Sequence, residues 1–299
     1  MKRFEASILA AIAFCAIAAN ASPVSATDFT FAGVGKDRIY VQTGTGIPVP
    51  SSATGSISTK LPYSAGFLID GLSTSPSLSV SGVSLTAPDS SNILLSPLAA
   101  GQSSDLQGLG GYSSQSALDT AYPDGTYALT VNTVNDGTKN FSLTLTGDSY
   151  PNAPYITNWT ALQSVNPSAP ITINWSAMSN AAPGDYIHLN IDNPPNYNTT
   201  LFASPGLPGQ TGGVSSSATG LTIPANTFQP GQLYRADVVF VHMVNPDTAT
   251  YPGAEATAFY SADTHFIITT TPEPAALALM GIAGTGLLVV RRKRGAAKG

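Results

Sequence analysis

Few side chains in this chain could do chemistry. Three histidines, His188, His242 and His265, fall in strand-like segments. His188 alternates with Ile187, Leu189 and Ile191, so it is expected to face outward. His242 shares parity with Tyr234 and Phe240, so it is expected to face inward or to end its strand. A shared metal face would need one parity, and these two have opposite parities. Asp119, Asp124, Asp136, Asp148, Asp185 and Asp192 could offer oxygens to Ca²⁺. No Asp-x-Asp-x-Asp-Gly loop gathers them, and scattered Asp at turns usually caps the turn. No Gly-x-Ser-x-Gly elbow presents a nucleophile, and nothing points to the paired carboxylates of a glycosidase. Gly108-Leu109-Gly110-Gly111 lacks the Lys-Ser/Thr of a phosphate loop. Cys15 is the single cysteine, and it lies in an N-terminal apolar run, so a processed chain has no thiolate. Tyr63, Tyr112, Tyr155, Tyr197 and Tyr251 sit in loop-like contexts where rings could stack on sugars. The expectation is a protein with no catalytic residues, no cofactor and no metal site.

The elements that would position these groups read as strands. Short alternating runs bounded by Gly, Pro, Asn and Asp are the pattern of β-sandwiches. Leu78, Val80, Val83 and Leu85 mark strand material. Tyr127, Leu129 and Val131 alternate, as do Phe141, Leu143 and Leu145. Asn135-Asp136-Gly137 between them reads as a hairpin turn, with Gly137 supplying the positive φ. Ser113–Tyr122 is at most a turn or two of helix. Tyr150-Pro151-Asn152-Ala153-Pro154 reads as a stiff linker, which places a domain boundary there. Ile171–Trp175 and Tyr186–Ile191 alternate again. After Pro230-Gly231, Tyr234, Ala236, Val238 and Phe240 share a face, as in a tyrosine corner. With an early strand ending in Trp175, residues 154–270 resemble a fibronectin type III domain. That resemblance implies structural roles for Trp175 and Tyr234. Asn193–Gly213 departs from it and reads as an exposed loop.

Both chain ends read as addresses. Met1-Lys2-Arg3 and apolar Ile8–Ala19 have signal-peptide form, with cleavage after Ala26, or alternatively after Ala21. At the other end Pro272-Glu273-Pro274 precedes an uncharged apolar run, Ala275–Val290, and then Arg291-Arg292-Lys293-Arg294. The run falls just short of the roughly 17–20 residues that span a bilayer, and the arginine stems can extend it. The basic cluster acts as a membrane stop and puts the C-terminus in the cytoplasm. It reads as an ordinary anchor or as a processing signal. The three parts in this order resemble the PEP-CTERM sorting tail of Gram-negative bacteria. The resemblance implies that an exosortase-type membrane protease recognises Pro272, Glu273 and Pro274. It also implies release to the cell surface or exopolysaccharide.

Charge supports that setting. The chain has 12 Lys and Arg against 17 Asp and Glu. Between Thr27 and Thr271 five basic residues face fifteen acids, a balance of −10. No basic stripe is left to neutralise phosphates, so nucleic acid is not an expected partner. The expected architecture is all-β. Residues 1–26 would be a signal peptide, 27–150 and 151–270 two β-sandwich domains in tandem, and 271–299 a transmembrane sorting helix with its basic tail. The expected role is structural or adhesive. A carbohydrate-binding module is the alternative, and a secreted hydrolase ranks behind it. Signal peptidase, the exosortase and an exopolysaccharide are the expected partners.

Overall fold

The hairpin read from alternation forms as expected. In the computed structural model, β7 (Gly125–Thr133) pairs with β8 (Thr138–Leu145) so that Tyr127 faces Leu143 and Leu129 faces Phe141. All six alternating side chains are buried, and Gly137 takes φ +76° in the turn. The structure describes residues 28–52, 54, 57–58, 60–70, 80–95, 104–197, 199–205 and 213–272. The proposed signal peptide with Ala26, Glu273, Pro274, the apolar run and Arg291, Arg292, Lys293 and Arg294 lie outside these residues. Among the described residues no helix is long and apolar enough to cross a membrane.

Strands account for nearly all regular structure. Before β7 come β1 (Phe31–Val41), β2 (Val49–Pro50), β3 (Tyr63–Asp70), β4 (Val80–Thr86), β5 (Asn92–Ile93), β6 (Ser104–Tyr112) and one short helix, α1 (Gln115–Ala121). Ser114 caps α1, its hydroxyl accepting from the Ala117 N–H. After β8 come β9 (Ile171–Asn174), β10 (Tyr186–Asp192), β11 (Thr200–Ala203), β12 (Val214–Ser215), β13 (Gly220–Ile223), β14 (Leu233–Asp247) and β15 (Glu255–Thr269).

The strands form one large sheet and two small ones. The large sheet has nine strands. Its main path is β11-β10-β14-β15-β1-β3-β6, with β12 added beside β10 and β2 beside β1. Sheet β5-β4-β7-β8 covers one half of it and the pair β13–β9 covers the other. Two cores lie between the layers. The first is built on Phe67, Tyr127, Leu129, Leu143 and Tyr260. The second is built on Trp175, Leu189, Tyr234, Phe240 and Phe266.

The boundary at Tyr150–Pro154 falls between these cores along the chain, but it does not separate two sandwiches. This corrects the tandem arrangement read from sequence. β14 and β15 are 15 residues each, roughly 50 Å long at about 3.3 Å per residue. They therefore run through both cores. β1 lies parallel to β15 in an unbroken register from Phe31↔Glu255 to Val41↔His265. The first core borrows Tyr251, Ala256, Ala258 and Tyr260 from the far end of the chain. The linker itself is docked: the Tyr150 ring meets the Tyr260 ring edge-on at 4.9 Å, and Asn152 Oδ1 accepts from the Ser179 N–H at 2.6 Å.

A second correction concerns Asn193–Gly213, read as an exposed loop. It contains β11, which pairs with β10 and packs Leu201 and Phe202 against the second core.

Gly35 shows why β1 tolerates glycine in mid-strand. It lies opposite Phe259 on β15, and the Phe259 ring occupies the space that a Cβ at Gly35 would need. Gly35→Val is expected to cost about 1–3 kcal/mol by overpacking. Adding Phe259→Ala should return part of that cost, measured as the coupling in a double-mutant denaturation cycle.

Candidate functional site

Parity divides the large sheet cleanly. Even-numbered residues of β1, β14 and β15 and odd-numbered residues of β10 face the two cores. Among the described residues no second sheet lies over the opposite face. On that face His188 and Asn190 of β10, Asp237 and Val239 of β14, Ser261 and Asp263 of β15, and Asp37 and Ile39 of β1 line a cleft of 660 Å³. Ser64 and Gly66 of β3 with Gly110 and Gly111 of β6 close one side, and Lys60 and Leu61 stand at the rim. Backbone bonds from Ser51 N to Ile39 O and from Ile39 N to Pro62 O hold this rim against β1, each at 2.8 Å.

Three carboxylates share the cleft. Asp37 accepts from the Ser64 hydroxyl at 3.0 Å and from the Ser261 hydroxyl. Asp237 accepts from Asn190 Nδ2 at 3.3 Å. Asp263 Oδ2 lies 2.9 Å from His265 Nε2 and 3.7 Å from Lys60 Nζ. The His265 contact lacks hydrogen-bond alignment, so it is a charge pairing. Asp263 Oδ1 is buried and has no hydrogen-bond partner among the described residues.

These neighbours pull the titrations apart. Burial raises the Asp237 carboxyl to about 7, and the Asp263 charge adds to the effect. Burial also raises Asp37, against the two serine hydrogen bonds. Burial works against ionised Asp263, but the His265 charge and contact and the Lys60 charge outweigh it and hold that carboxyl below the ordinary range. His265 is raised in turn: burial opposes its charge, and Asp263 prevails. Burial keeps the His188 imidazole low.

Asp237 therefore holds its proton more tightly in the folded chain than in the unfolded one. Stability is lost as pH rises from the ordinary 3.8 through about 7. Asp237→Asn stays neutral and keeps an oxygen acceptor. It is expected to exceed the wild type by roughly 1 kcal/mol or more at pH 8 and to match it near pH 4, read by urea denaturation at both values.

Two carboxylates with separated titrations in one cleft are the ingredients of acid–base hydrolysis. Asp237 and Asp263 are diagonal neighbours on adjacent strands, since Val239 faces Asp263 and Asp237 faces His265. Both side chains line the same cleft.

The aspartates read as calcium candidates meet a different fate. Asp119, Asp124 and Asp148 do converge, with oxygens within 4.8 Å of one another. Their centre is taken by the ammonium of Lys36, fully buried and 2.8 Å from both Asp119 and Asp124 and 3.9 Å from Asp148. Gln115 Nε2 donates to Asp119 and Asp148, and Tyr260 donates to Asp124. Asp136 is elsewhere, accepting from the Tyr251 hydroxyl. Asp185 is a structural anchor that accepts from the Met243 and Ala182 N–H groups and contacts His242 Nδ1 at 2.9 Å. His188 and His242 lie on opposite faces as their parity implied. His188 and His265 share the open face, a pairing the sequence reading did not make.

Of the loop tyrosines only Tyr63 and Tyr112 come together, as register partners, with Tyr122 edge-on to Tyr112. Tyr63 and Tyr112 belong to β3 and β6. Tyr251 is buried against Phe29. Tyr155 donates to the Thr45 carbonyl, and Tyr197 lies under Arg235.

No protein-family model matches the sequence, and no curated protein matches it. Among solved structures, one that matches is described as "Biofilm associated protein - BSP domain". It is 12% identical over 70% of this chain and 28% of that chain, with a TM-score of 0.21.

Proposed function

We propose that this chain is an exported, non-enzymatic protein of the cell surface or exopolysaccharide matrix, sorted through Pro272-Glu273-Pro274. One observation supports this reading above the others: Thr271, the residue directly before the motif, is tied into the β-body. The Thr271 N–H donates to Val165 O at 2.9 Å, and Thr271 O accepts from the Gly231 N–H at 3.2 Å. A membrane protease cutting at the motif would free the whole β-body and disturb none of its strands. Signal peptidase and an exosortase-type protease are the processing partners in this reading. An envelope polysaccharide is the matrix partner. The acidic balance of the body fits no nucleic-acid role.

The role is structural or adhesive. The second half is read as fibronectin III-like because β9 pairs with β13 opposite β10, β14 and β15, while Trp175 directly follows β9 and Tyr234 enters β14. The Tyr234 hydroxyl accepts from the Gln229 N–H at 2.6 Å, closing the corner.

The test replaces Pro272, Glu273 and Pro274 together by alanine in a chain with one tag in the body and one at the C-terminus. The replaced chain is expected to keep both tags and stay in the membrane fraction, while the wild type loses its C-terminal tag. Equal processing of both chains, by blotting and mass spectrometry of the mature C-terminus, would sink the sorting role.

A further inference from the structure

We propose that the open-face cleft around Asp263 is a binding site for a neutral, hydroxyl-rich ligand of the saccharide class. The inference does not depend on how the protein is sorted.

Asp263 is 8% exposed and lines the cleft, yet its Oδ1 accepts no hydrogen bond among the described residues. That oxygen is sealed from water, so the acceptors offered to a ligand are the carboxylates of Asp37, Asp237 and Asp263 set along the cleft wall. A ligand of these acceptors need not carry charge. His265 and Lys60 already balance Asp263 through its other oxygen. The cleft volume of 660 Å³ is in the range of small-molecule sites.

A metal ion fits poorly. Calcium needs several oxygens converging on one point. Among the described residues the group of three or more acidic or histidine side chains whose ligand atoms all come within 4.8 Å is Asp119, Asp124 and Asp148, on the other face of the sheet and filled by Lys36. The cleft carboxylates are spread along a diagonal of strands instead. Spread acceptors suit a ligand whose donors are also spread, as ring hydroxyls are. Gly66, Gly110 and Gly111 line the wall, with the Tyr112 ring packed at Gly110 and Leu61 at Gly111. Ile39, Leu61 and Val239 supply apolar surface for its C–H face.

The test uses the purified protein and a panel of neutral sugars: glucose, galactose, mannose, N-acetylglucosamine and their short oligomers. Lysine methyl ester and CaCl₂ serve as cationic probes. Binding is read by saturation-transfer NMR and then calorimetry. At least one neutral sugar is expected to bind, with an affinity unchanged in about 0.5 M NaCl, where exposed charge attraction is screened. Asp263→Asn is expected to weaken it about tenfold or more, the loss of a hydrogen bond to a charged acceptor. Since Asp263→Asn also strips His265 of its partner, a second variant guards against misfolding. Gly111 is exposed at the rim, and Gly111→Phe is expected to abolish binding and leave the thermal transition unchanged. Silence across the panel would overturn the proposal. So would sugar binding that survives Gly111→Phe, or salt-sensitive binding of the cationic probes in place of sugar.

Discussion

Lys36→Met is expected to destabilise the protein severely at pH 7. The ammonium is fully buried and sits between Asp119 and Asp124 at 2.8 Å from each, with Asp148 at 3.9 Å. Removing it leaves three carboxylates facing one another. Breaking a buried ion pair by deleting one partner costs about 3–5 kcal/mol. The three aspartates are each about one third exposed, so water offsets part of the repulsion and the lower end applies. The sign with pH is fixed. Asp124 is held low: burial opposes its charge, but the Lys36 hydrogen bond and charge prevail. That contribution is present above the unfolded carboxylate value and is lost as pH falls through the folded one. The gap between wild type and Lys36→Met should therefore narrow once the pH falls below the ordinary carboxylate value of 3.8, read by urea denaturation at pH 7 and at about pH 2.5. Millimolar Ca²⁺ should recover part of the loss in the variant and leave the wild type unmoved, because the variant alone has a vacant place among those oxygens. A variant as stable as the wild type at pH 7 would show that the ammonium contributes little.

The second large effect concerns the two halves made separately. Residues 28–150 alone are expected to remain unfolded. They lose Tyr251, Ala256, Ala258 and Tyr260 from the first core, and β1 loses eleven parallel partners. Residues 151–272 alone keep every buried member of the second core. They should fold around Trp175, with Glu255 to Asp263 frayed. Amide hydrogen exchange would read this as protection from Phe266 to Thr269 and none near Ala258. Produced together, the fragments should associate and restore that protection. A dispersed, cooperative 28–150 fragment would refute the shared sheet.

The sequence betrayed its strands where one face meets solvent. The hairpin at Tyr127–Leu145 and the run Tyr186–Ile191 alternate because alternate positions are wet, and both form as read. β15 defeats that logic. From Ala256 to Thr264 every residue is buried on both faces, so no period of two survives. β1 hides for a different reason. Gly33 and Gly35 leave room for Phe259, Lys36 points into a polar cage, and Asp37 points into the cleft. Read locally, such a segment looks like a turn. The cleft was legible only in part. His188 was placed outward correctly. Asp237 and Asp263 are each a lone acid at an outward position in an apolar strand, and that mark is visible in the sequence. What brought them to Asp37 was a pairing between opposite ends of the chain, which no local pattern encodes.

That pairing also governs when the molecule can be finished. Asp37 and Ser261 are in contact across 224 residues. β3 can zip onto one edge of the first strand early, but the other edge has no neighbour until the last strand has been made. Such a topology has high contact order and closes late. A chain truncated before Glu255 would carry an open, hydrogen-bond-hungry strand edge in its middle, the kind of surface on which chains stick to one another.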